Sequence, residues 1–461
     1  MTESPATTGL SRAGLIGQTP HPDEEERHAT MMKHGPRESV FSPPALVIAL
    51  LALSASAAGV SDQLSDPAGA PGDATRPLKV FVLAGQSNMQ GHAHIGTFDA
   101  MALDPKTAPI LEEMCNADGA PRVCEEVWIS SIGCADEEQV GPLTAGFGAK
   151  ARGPNIGPEF TFGIYLQKRL DEPILIIKTA WGGRSLHTDF RPPGAGPCEF
   201  DDAQLARFEK QGKDIEAIKA DKANATGRYY RLMIDHVKKV LADIGRVYPE
   251  YDPEQGHELA GFVWFQGWND MVDRGVYPDR DKPGGYDKYS ELLAQFIRDA
   301  RADLSAPRMP FVIGVMGVGG PVDEYPPEQQ RYRRIHHNFR TAMAAPAALP
   351  EFEDNVVAVL TEEFWDREVV ALRARENKIR QRKDEIKAGM NEGRLSRDEG
   401  DAALERLYAE VFTARELVML RESTSNREYH YMGSARIMAR IGKGFAEAMV
   451  EMLKKNDSSR K

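Results

Sequence analysis

The chain has 461 residues, of which 41% are hydrophobic, 27% charged and 8% aromatic. This composition is typical of a soluble globular protein with a sizeable core, and it argues against a disordered or membrane-spanning chain. The formal net charge of -12 disfavours unaided binding to nucleic acid or to an anionic membrane, because both partners are negative as well. We therefore expect no nucleic-acid partner and no stable membrane span.

Residues 1–58 are predicted to be an N-terminal extension that carries a secretory signal peptide. A short basic stretch with Lys33 and Arg37 leads into the apolar run 45–53, and small residues follow at 54–58. These are the three parts of a signal peptide, and the apolar run is too short for a stable membrane-spanning helix. We expect cleavage near Ala57, export to the periplasm or the exterior, and a polar linker over 59–76. A membrane anchor is the alternative.

The four cysteines fall in one region of the chain, at Cys115, Cys124, Cys134 and Cys198. In an exported protein, an even number of clustered cysteines predicts disulfides, here two bridges in one of three connectivities. No Cys-x-x-Cys spacing occurs, so a zinc site built from thiolates is not expected. The pair His92 and His94 has no third ligand nearby in the sequence, so we predict neither a metal nor a cofactor.

Five short apolar runs predict the strands of a buried sheet. They are Val80–Ala84, Ile174–Ile177, Phe262–Phe265, Phe311–Val318 and Val356–Leu360. Each run is continuous rather than alternating, as expected for parallel strands that are covered on both faces. Helical stretches separate the runs, for example 286–304 and 327–344, and a last helix is predicted over 434–453. Strands that alternate with helices predict an α/β fold with a doubly wound parallel sheet.

Residues 366–422 differ in character from the rest of the chain. They are rich in Arg, Lys and Glu, their apolar residues are sparse and helically spaced, and Asn391-Glu392-Gly393 interrupts them. This pattern predicts a charged helical hairpin that is inserted before the last loop. We interpret it as a solvated helical surface, with a lid or a docking arm as the alternative. The main domain is predicted over 77–455, followed by a polar tail over 456–461.

Ligands bind beyond the carboxyl ends of the strands in doubly wound sheets, so the residues after each apolar run are candidate site residues. The segments after the first three runs are Gly85-Gln86-Ser87-Asn88-Met89, Trp181-Gly182-Gly183-Arg184-Ser185 and Gln266-Gly267-Trp268-Asn269-Asp270. They offer a serine nucleophile, glycine amides and two carboxamides that could hold an oxyanion. His430 precedes the last helix, where the final connection would bring it over the sheet edge as a base for Ser87.

These segments resemble the conserved blocks of the SGNH hydrolases, specifically the sialate O-acetylesterase-like branch that includes carbohydrate esterase family 6. The resemblance rests on residues 79–91, 180–186 and 263–267, and it covers about residues 78–453. It implies a three-layer, flavodoxin-like α/β fold. It also implies a serine esterase that removes O-acetyl groups from carbohydrate, either sialate or acetylated polysaccharide, through an acyl-enzyme.

The resemblance also implies roles for individual residues. Ser87 would be the nucleophile, and His430 would be the general base and acid. The oxyanion hole would be built from the backbone of Ser87, the backbone of Gly182 or Gly183, and a side-chain amide of Gln266 or Asn269. Gln266 matches the sialate-esterase pattern, whereas Asn269 matches the G-x-N-D block of the wider superfamily.

The triad acid is the point at which the sequence departs from the family. An aspartate usually stands three residues before the histidine, and here that position is Arg427. Glu428 is our preferred substitute, because its longer side chain and the loop could together restore the reach. The other candidate acids are Glu362, Glu363, Asp366 and Asp270. A Ser87–His430 dyad, in which a backbone carbonyl holds the imidazole, is a further alternative.

Two other functions are compatible with the sequence. The replacement of the expected aspartate by Arg427 allows a carbohydrate-binding protein whose esterase site is degenerate. A serine esterase or lipase for esters without a sugar is disfavoured, because a lipid substrate favours an apolar lid and the inserted segment is charged.

Overall fold

The computed structural model describes residue 73 and residues 75–460, all within a unit that spans residues 59–461. The predicted signal peptide, its cleavage site near Ala57 and most of the predicted linker lie outside the described residues. No helix in the described ranges combines the length and the apolar character needed to cross a membrane.

A seven-stranded sheet forms the centre of the fold. Its strands, in spatial order, are β4 (Gln139–Leu143), β3 (Cys124–Ile132), β6 (Ile174–Ala180), β1 (Leu78–Gly85), β7 (His257–Phe265), β8 (Phe311–Val315) and β9 (Val356–Leu360). All neighbouring strands are parallel except β3 and β4, which are antiparallel. Two short strands, β2 (Ala93–His94) and β5 (Asn155–Ile156), form a separate antiparallel pair.

The helices lie mostly between the strands and after the last strand. They are α1 (Ser87–Gln90), α2 (Ala108–Met114), α3 (Pro158–Gln167), α4 (Asp202–Lys210), α5 (Ile215–Ala225), α6 (Arg228–Ala242), α7 (Trp268–Val272), α8 (Asp287–Asp303), α9 (Arg333–Ala344), α10 (Arg367–Lys378), α11 (Arg380–Asn391), α12 (Arg397–Ala409), α13 (Ala414–Glu422) and α14 (Ala435–Arg460). Short 3-10 turns join several of them, and the turn Glu428–Gly433 precedes α14.

The five predicted strands are present as β1, β6, β7, β8 and β9. Numbered along the chain, they follow the order 2-1-3-4-5 across the sheet, which is the flavodoxin-like order. Gly85 at the end of β1 pairs with Ala180 on one side and with Phe265 on the other. The three segments that follow these strands therefore leave the sheet at the same level, at the topological switch point between β1 and β7, where such folds bind ligands.

Helices cover both faces of the sheet. Trp264 of β7 packs on Phe296 of α8 with ring centroids 4.4 Å apart, and the next residue, Phe265, packs on Phe445 of α14 at 5.4 Å. Successive residues of a strand point to opposite faces, so α8 and α14 lie on opposite sides of the sheet. The predicted three-layer α/β architecture is confirmed, and it explains why the strand sequences are continuously apolar.

The sequence prediction missed the antiparallel pair of β3 and β4 at one edge of the sheet. It was also wrong about the charged insertion, since residues 366–422 contain the four helices α10 to α13 and not a single hairpin. The predicted break at Asn391-Glu392-Gly393 separates α11 from α12. The last helix, α14, continues through most of the predicted polar tail, to Arg460.

The predicted disulfides are absent from the structure. The four cysteines, all within the described residues, are free thiols. Cys198 Sγ is 3.6 Å from both ring nitrogens of His187. Burial raises the pKa of the Cys124 thiol to about 12, although the charge of Arg122 opposes this shift, so the thiolate form is strongly disfavoured.

Candidate active site

Ser87 is the first residue of α1, in the tight turn that follows β1. Position 85 has to be glycine, because a Cβ atom there would lie 2.1 Å from the backbone oxygen of Phe265 on the neighbouring strand. The backbone N–H of Gln86 donates to the same oxygen at 3.3 Å. This close approach of β1 and β7 fixes the position of Ser87, whose surface is 8% exposed.

The glycines of the second segment lie beside Ser87. A Cβ atom at Gly182 would be 3.8 Å from the Cβ of Ser87. Gly183 follows with a φ of 71°, which is the left-handed region that glycine adopts at little cost, and it is exposed. The structure therefore brings the two predicted glycine donors to the loop that borders the serine.

Asp270 holds the second and third segments together. Its carboxylate accepts hydrogen bonds from the backbone N–H groups of Leu186 (2.7 Å) and His187 (2.9 Å), from Gln266 Nε2 (2.7 Å) and from the Tyr277 hydroxyl (3.3 Å). Asp270 is completely buried, and this burial raises its pKa to about 6 despite those hydrogen bonds. Because its oxygens are occupied in this way, Asp270 is a structural residue and not the partner of His430.

The two candidate carboxamides differ in how they are engaged. Gln266 Nε2 already donates to Gln86 Oε1 (3.1 Å), to the backbone oxygen of Arg184 (2.9 Å) and to Asp270, and Gln266 Oε1 accepts from the Tyr289 hydroxyl at 3.2 Å. An NH₂ group has two protons, so Gln266 has none left for an oxyanion. The structure thus makes Gln266 a buried support of the site.

Asn269 is held in the opposite way, with its donor free. Gln86 is buried beside Ser87, and its Nε2 donates to Asn269 Oδ1 at 3.0 Å while lying 3.5 Å from Ser87 Oγ. Asn269 Nδ2 has no hydrogen-bond partner within the described part of the chain. Gln86 is a residue that the sequence analysis did not assign, although it stands next to the serine in the first segment. Gln86 orients the carboxamide of Asn269 so that its donor stays free.

His430 lies in the turn Glu428–Gly433, which packs against α1. Its Nδ1 is 3.1 Å from Asn426 Oδ1. Since an amide oxygen only accepts, Nδ1 carries the proton and Nε2 is left as the basic nitrogen. The described residues contain no hydrogen bond between Ser87 and His430. Catalytic hydrogen bonds are often long in unliganded enzymes and tighten when substrate binds.

Asn426 is therefore the hydrogen-bond partner of His430, whereas the described residues contain no hydrogen bond between His430 and Glu428, the predicted acid. The backbone N–H of Arg427 donates to Asn426 Oδ1 at 2.8 Å, which turns the oxygen of this amide toward the ring. Glu428 interacts instead with the charge of Arg373 on α10, and burial raises the pKa of its carboxyl. Asn426 stands four residues before the histidine, one position from where the family places its acid.

The remaining candidate acids are also occupied elsewhere or exposed. Glu362 pairs with Arg340, and Asp366 pairs with Arg436 at 2.7 Å while capping α10 through the N–H of Val369. Glu363 is exposed. In the described residues no carboxylate hydrogen-bonds to His430.

The residue after His430 fixes the loop to the sheet. The buried Tyr431 hydroxyl accepts from the N–H of Gly317, after β8, at 2.8 Å and lies 2.6 Å from Thr361 Oγ1, after β9. Tyr431 and Met432 have φ values of 52° and 59°. Each such residue costs about 1–3 kcal/mol and persists only where the surroundings enforce it, as commonly happens at functional sites.

Burial and charge keep His430 neutral. Burial and, secondly, the nearby His92 lower its pKa to about 3. A neutral imidazole can accept a proton near neutral pH, as a general base must. Two half-buried aromatic rings lie near His430. Tyr429 precedes it in the chain, and the ring centroids of Tyr429 and Trp268 are 5.6 Å apart.

The fold and this set of residues define an α/β protein with a candidate serine-hydrolase site at its switch point. A family model described as carbohydrate esterase, sialic acid-specific acetylesterase, matches residues 77–356, which is more than half of the chain. The chain therefore belongs to this carbohydrate esterase family, and the predicted family is confirmed. Asn426 and His430 lie beyond the matched residues.

No curated protein matches the chain significantly. Two solved structures align with it at 17% sequence identity each. A protein from Arabidopsis thaliana aligns with a TM-score of 0.33 over 62% of this chain and 86% of its own. A carbohydrate acetylesterase from Xanthomonas citri aligns with a TM-score of 0.31 over 61% of this chain and 49% of its own, so the aligned part spans about half of that protein.

Proposed function

We propose that this carbohydrate esterase is a serine O-acetylesterase that acts through an acyl-enzyme on Ser87. Two observations carry the proposal. The Gly182 loop borders Ser87, and Gln86, which lies beside Ser87, holds the oxygen of Asn269 and leaves Nδ2 of that amide free. Donors that converge beside a nucleophile are the arrangement needed to stabilise an oxyanion.

The proposed reaction has two halves. Ser87 Oγ attacks the acetyl carbonyl carbon while His430 Nε2 takes the hydroxyl proton, and the oxyanion is held by the N–H groups of Ser87 and Gly182 and by Asn269 Nδ2. The C–O bond to the sugar then breaks, and the sugar oxygen takes the proton from His430. In the second half, His430 removes a proton from water as the water attacks the acetyl carbonyl carbon. The bond from that carbon to Ser87 Oγ then breaks, Ser87 Oγ takes the proton back from His430, and acetate is released.

Asn426 completes the proposed triad in place of a carboxylate. A side-chain oxygen on Nδ1 holds the ring in the tautomer that leaves Nε2 free, which is the role of the third residue in Ser-His-Asp and Cys-His-Asn enzymes. A neutral amide does not balance the positive charge that His430 acquires. We therefore expect a functional enzyme, with the charge of the imidazolium stabilised in part by other groups.

The aromatic pair supports a sugar ring as the part of the substrate that carries the acetyl group. Large flat side chains such as Trp268 and Tyr429 offer apolar faces with polar edges, which suit the apolar face and the hydroxyls of a sugar. Both rings stand on segments that carry proposed catalytic residues, Asn269 and His430. We propose acetylated sialate or acetylated polysaccharide as the substrate class.

The purified chain is tested first on a chromogenic acetate ester, then on O-acetylated sialates and on acetylated polysaccharides, with acetate release as the measurement. A fluorophosphonate reagent should modify Ser87, and peptide mass analysis should locate the adduct there. The matched control is Ser130→Ala, which should be labelled like the wild type. Acetate release without an adduct on Ser87 would contradict the mechanism. Binding of the glycans without acetate release would instead favour a degenerate, carbohydrate-binding site.

A further inference from the structure

His92 forms a parallel stack with the proposed catalytic base. The ring centroids of His92 and His430 are 3.9 Å apart, and the ring planes differ by 4°. In the sequence, His92 lies five residues after Ser87 and was noted only as one member of a pair that lacked a third metal ligand. The structure places it beside the reacting groups instead.

The segments of the two histidines are tied to each other. Ser425 Oγ hydrogen-bonds the backbone oxygens of His92 (3.2 Å) and Gly433 (2.8 Å), and it accepts from the backbone N–H of His94 at 3.1 Å. The Nε2 atom of His92 is buried and has no hydrogen-bond partner in the described residues. The position of the His92 ring is therefore not explained by a hydrogen bond of Nε2. The face-to-face contact with the His430 ring explains it instead.

Few charged groups surround the stack. The charge of Lys178 acts on His92, and its ammonium bonds the backbone oxygens of Gln90 (2.8 Å) and Phe147 (2.9 Å) and the carboxylate of Glu159 (2.6 Å). The titratable or charged groups on the turn of His430 and just before it are Arg427, Glu428, Tyr429 and Tyr431. The elements packed against the turn add His94 and, in the first turns of α14, Arg436 and Arg440. Of these, Glu428 interacts with Arg373, and Arg436 is paired with Asp366, Asp104 and Glu368.

Burial and, secondly, the charge of Lys178 lower the pKa of His92 to about 4. At neutral pH both stacked rings are therefore uncharged. Two imidazolium rings at this separation would repel strongly in a buried site, so the pair accepts one proton far more readily than two. A single imidazolium over a neutral aromatic face is favourable, as in other cation–π contacts.

We propose that His92 is a positioning residue that fixes the plane of the His430 ring and supports the single positive charge that His430 carries during the reaction. The proposal rests on the proposed function of His430 as the base for Ser87. His92 would supply part of the charge stabilisation that the neutral amide of Asn426 does not provide.

Three variants separate the effects of the ring from those of its titration. In His92→Ala the ring is lost, and we expect kcat to fall about tenfold, the order of one desolvated cation–π contact, with KM nearly unchanged. In His92→Phe the stacked face is kept, so kcat should return to within about threefold of the wild type. His94→Asn is the matched control, because its side chain caps the 3-10 turn Ile95–Thr97 and does not contact His430; it should behave as the wild type.

The pH profile tests a property that a merely structural ring would not change. Removal of the second titrating ring in His92→Phe should raise the pKa of His430, so the acid limb of kcat/KM should move to higher pH by about one unit. Proton–nitrogen NMR of the imidazoles should show the same upward movement for His430 in this variant, whether or not the protein is active on the substrates tried.

The outcomes distinguish the two proposals. Full activity in Ser87→Ala would remove the proposed function, and the NMR titration would still decide whether His92 and His430 are coupled. An unchanged acid limb and an unchanged His430 titration in His92→Phe would overturn the coupling. Wild-type kcat in folded His92→Ala would overturn the positioning role, and if that variant does not fold, the Phe variant decides alone. If His94→Asn changed kcat or the acid limb of kcat/KM as much as the His92 variants do, the proposal would also be overturned.

Discussion

Two serine–histidine clusters in the described part of the chain differ in geometry, and the tighter of the two is not the proposed active site. Ser130 Oγ lies 2.9 Å from His236 Nε2 and 2.8 Å from Glu138 Oε1, so a serine, a histidine and a carboxylate are within hydrogen-bonding distance. Ser87 and His430 share no hydrogen bond in the described residues. By interatomic distance alone, the first cluster would be preferred.

Their places in the fold reverse that preference. Ser130 is in β3, where it pairs with Val140 and Ile177 on the neighbouring strands, and it is 0% exposed. Its hydroxyl lies within reach of both the carboxylate and the imidazole, so it holds an internal network together. Ser87 stands beyond the end of its strand, beside the glycine loop and the free amide of Asn269. Access and unused donors therefore mark a candidate active site better than short distances do.

The largest expected effect is the contrast between the two serines. Ser87→Ala should lower kcat on an acetate ester on the order of a million-fold, the loss seen when a serine nucleophile is removed. Ser130→Ala should keep wild-type kcat but lower the free energy of unfolding by about 1–3 kcal/mol, because a buried imidazole and a carboxylate lose a partner. Steady-state kinetics and urea unfolding measure the two quantities. The comparison fails if Ser130→Ala is inactive while still folded.

Substitution of the two carboxamides of the third segment should likewise affect different quantities, kcat for one and stability for the other. Asn269→Ala should lower kcat by about 10²–10³ with little change in KM or stability, as for the loss of one oxyanion donor. Gln266→Ala should lower the free energy of unfolding by about 1–3 kcal/mol, because it leaves buried partners unsatisfied. A variant at Gln266 that loses kcat with no loss of stability would return the oxyanion hole to that residue.

A smaller effect is expected at the third residue of the proposed triad. Asn426→Ala should lower kcat on the order of a hundredfold, because His430 loses the oxygen that holds its tautomer and orientation. Glu428→Gln is the control on the same loop, and kcat should stay within about threefold of the wild type. The opposite result, a large loss only in the Glu428 variant, would restore the acid that the sequence suggested.

The fold was predictable because its signal is local. Each buried parallel strand is a continuous apolar run, and the carboxyl ends of parallel strands meet at one edge, so Ser87, Gly182 and Asn269 could be placed together from the sequence. The pair β3 and β4 was not predictable in this way, because Cys124–Ile132 mixes charged, polar and apolar residues at the edge of the sheet.

The partners within the site were less predictable, because they depend on contacts through space. The roles of Gln86 and Asn426 follow from which atom of each amide faces inward, and a sequence does not record that orientation. The disulfide prediction rested on the number and clustering of the cysteines in the sequence, which do not record the distances between the thiols. The stack of His92 on His430 required a loop in which Tyr431 and Met432 adopt left-handed backbone conformations, for which neither residue type is a signal.

The smallest expected effect concerns stability at the internal cluster. Burial lowers the pKa of His236 from 6.5 to about 4, with Glu138 opposing and Lys239 and Arg246 reinforcing the shift. Below pH 6.5 the unfolded chain binds a proton at this residue that the folded chain excludes, so the stabilisation is complete above 6.5 and is lost as the pH falls toward 4.

His236→Gln keeps a polar partner for Ser130 and removes the titration. Urea unfolding across this pH range should therefore show a shallower loss of stability in His236→Gln than in the wild type or in the exposed control His337→Gln. Turnover at neutral pH should be unchanged in both. Equal slopes in all three proteins would mean that His236 is protonated in the folded state, and the first cluster would then contain a charged pair in place of the neutral network described above.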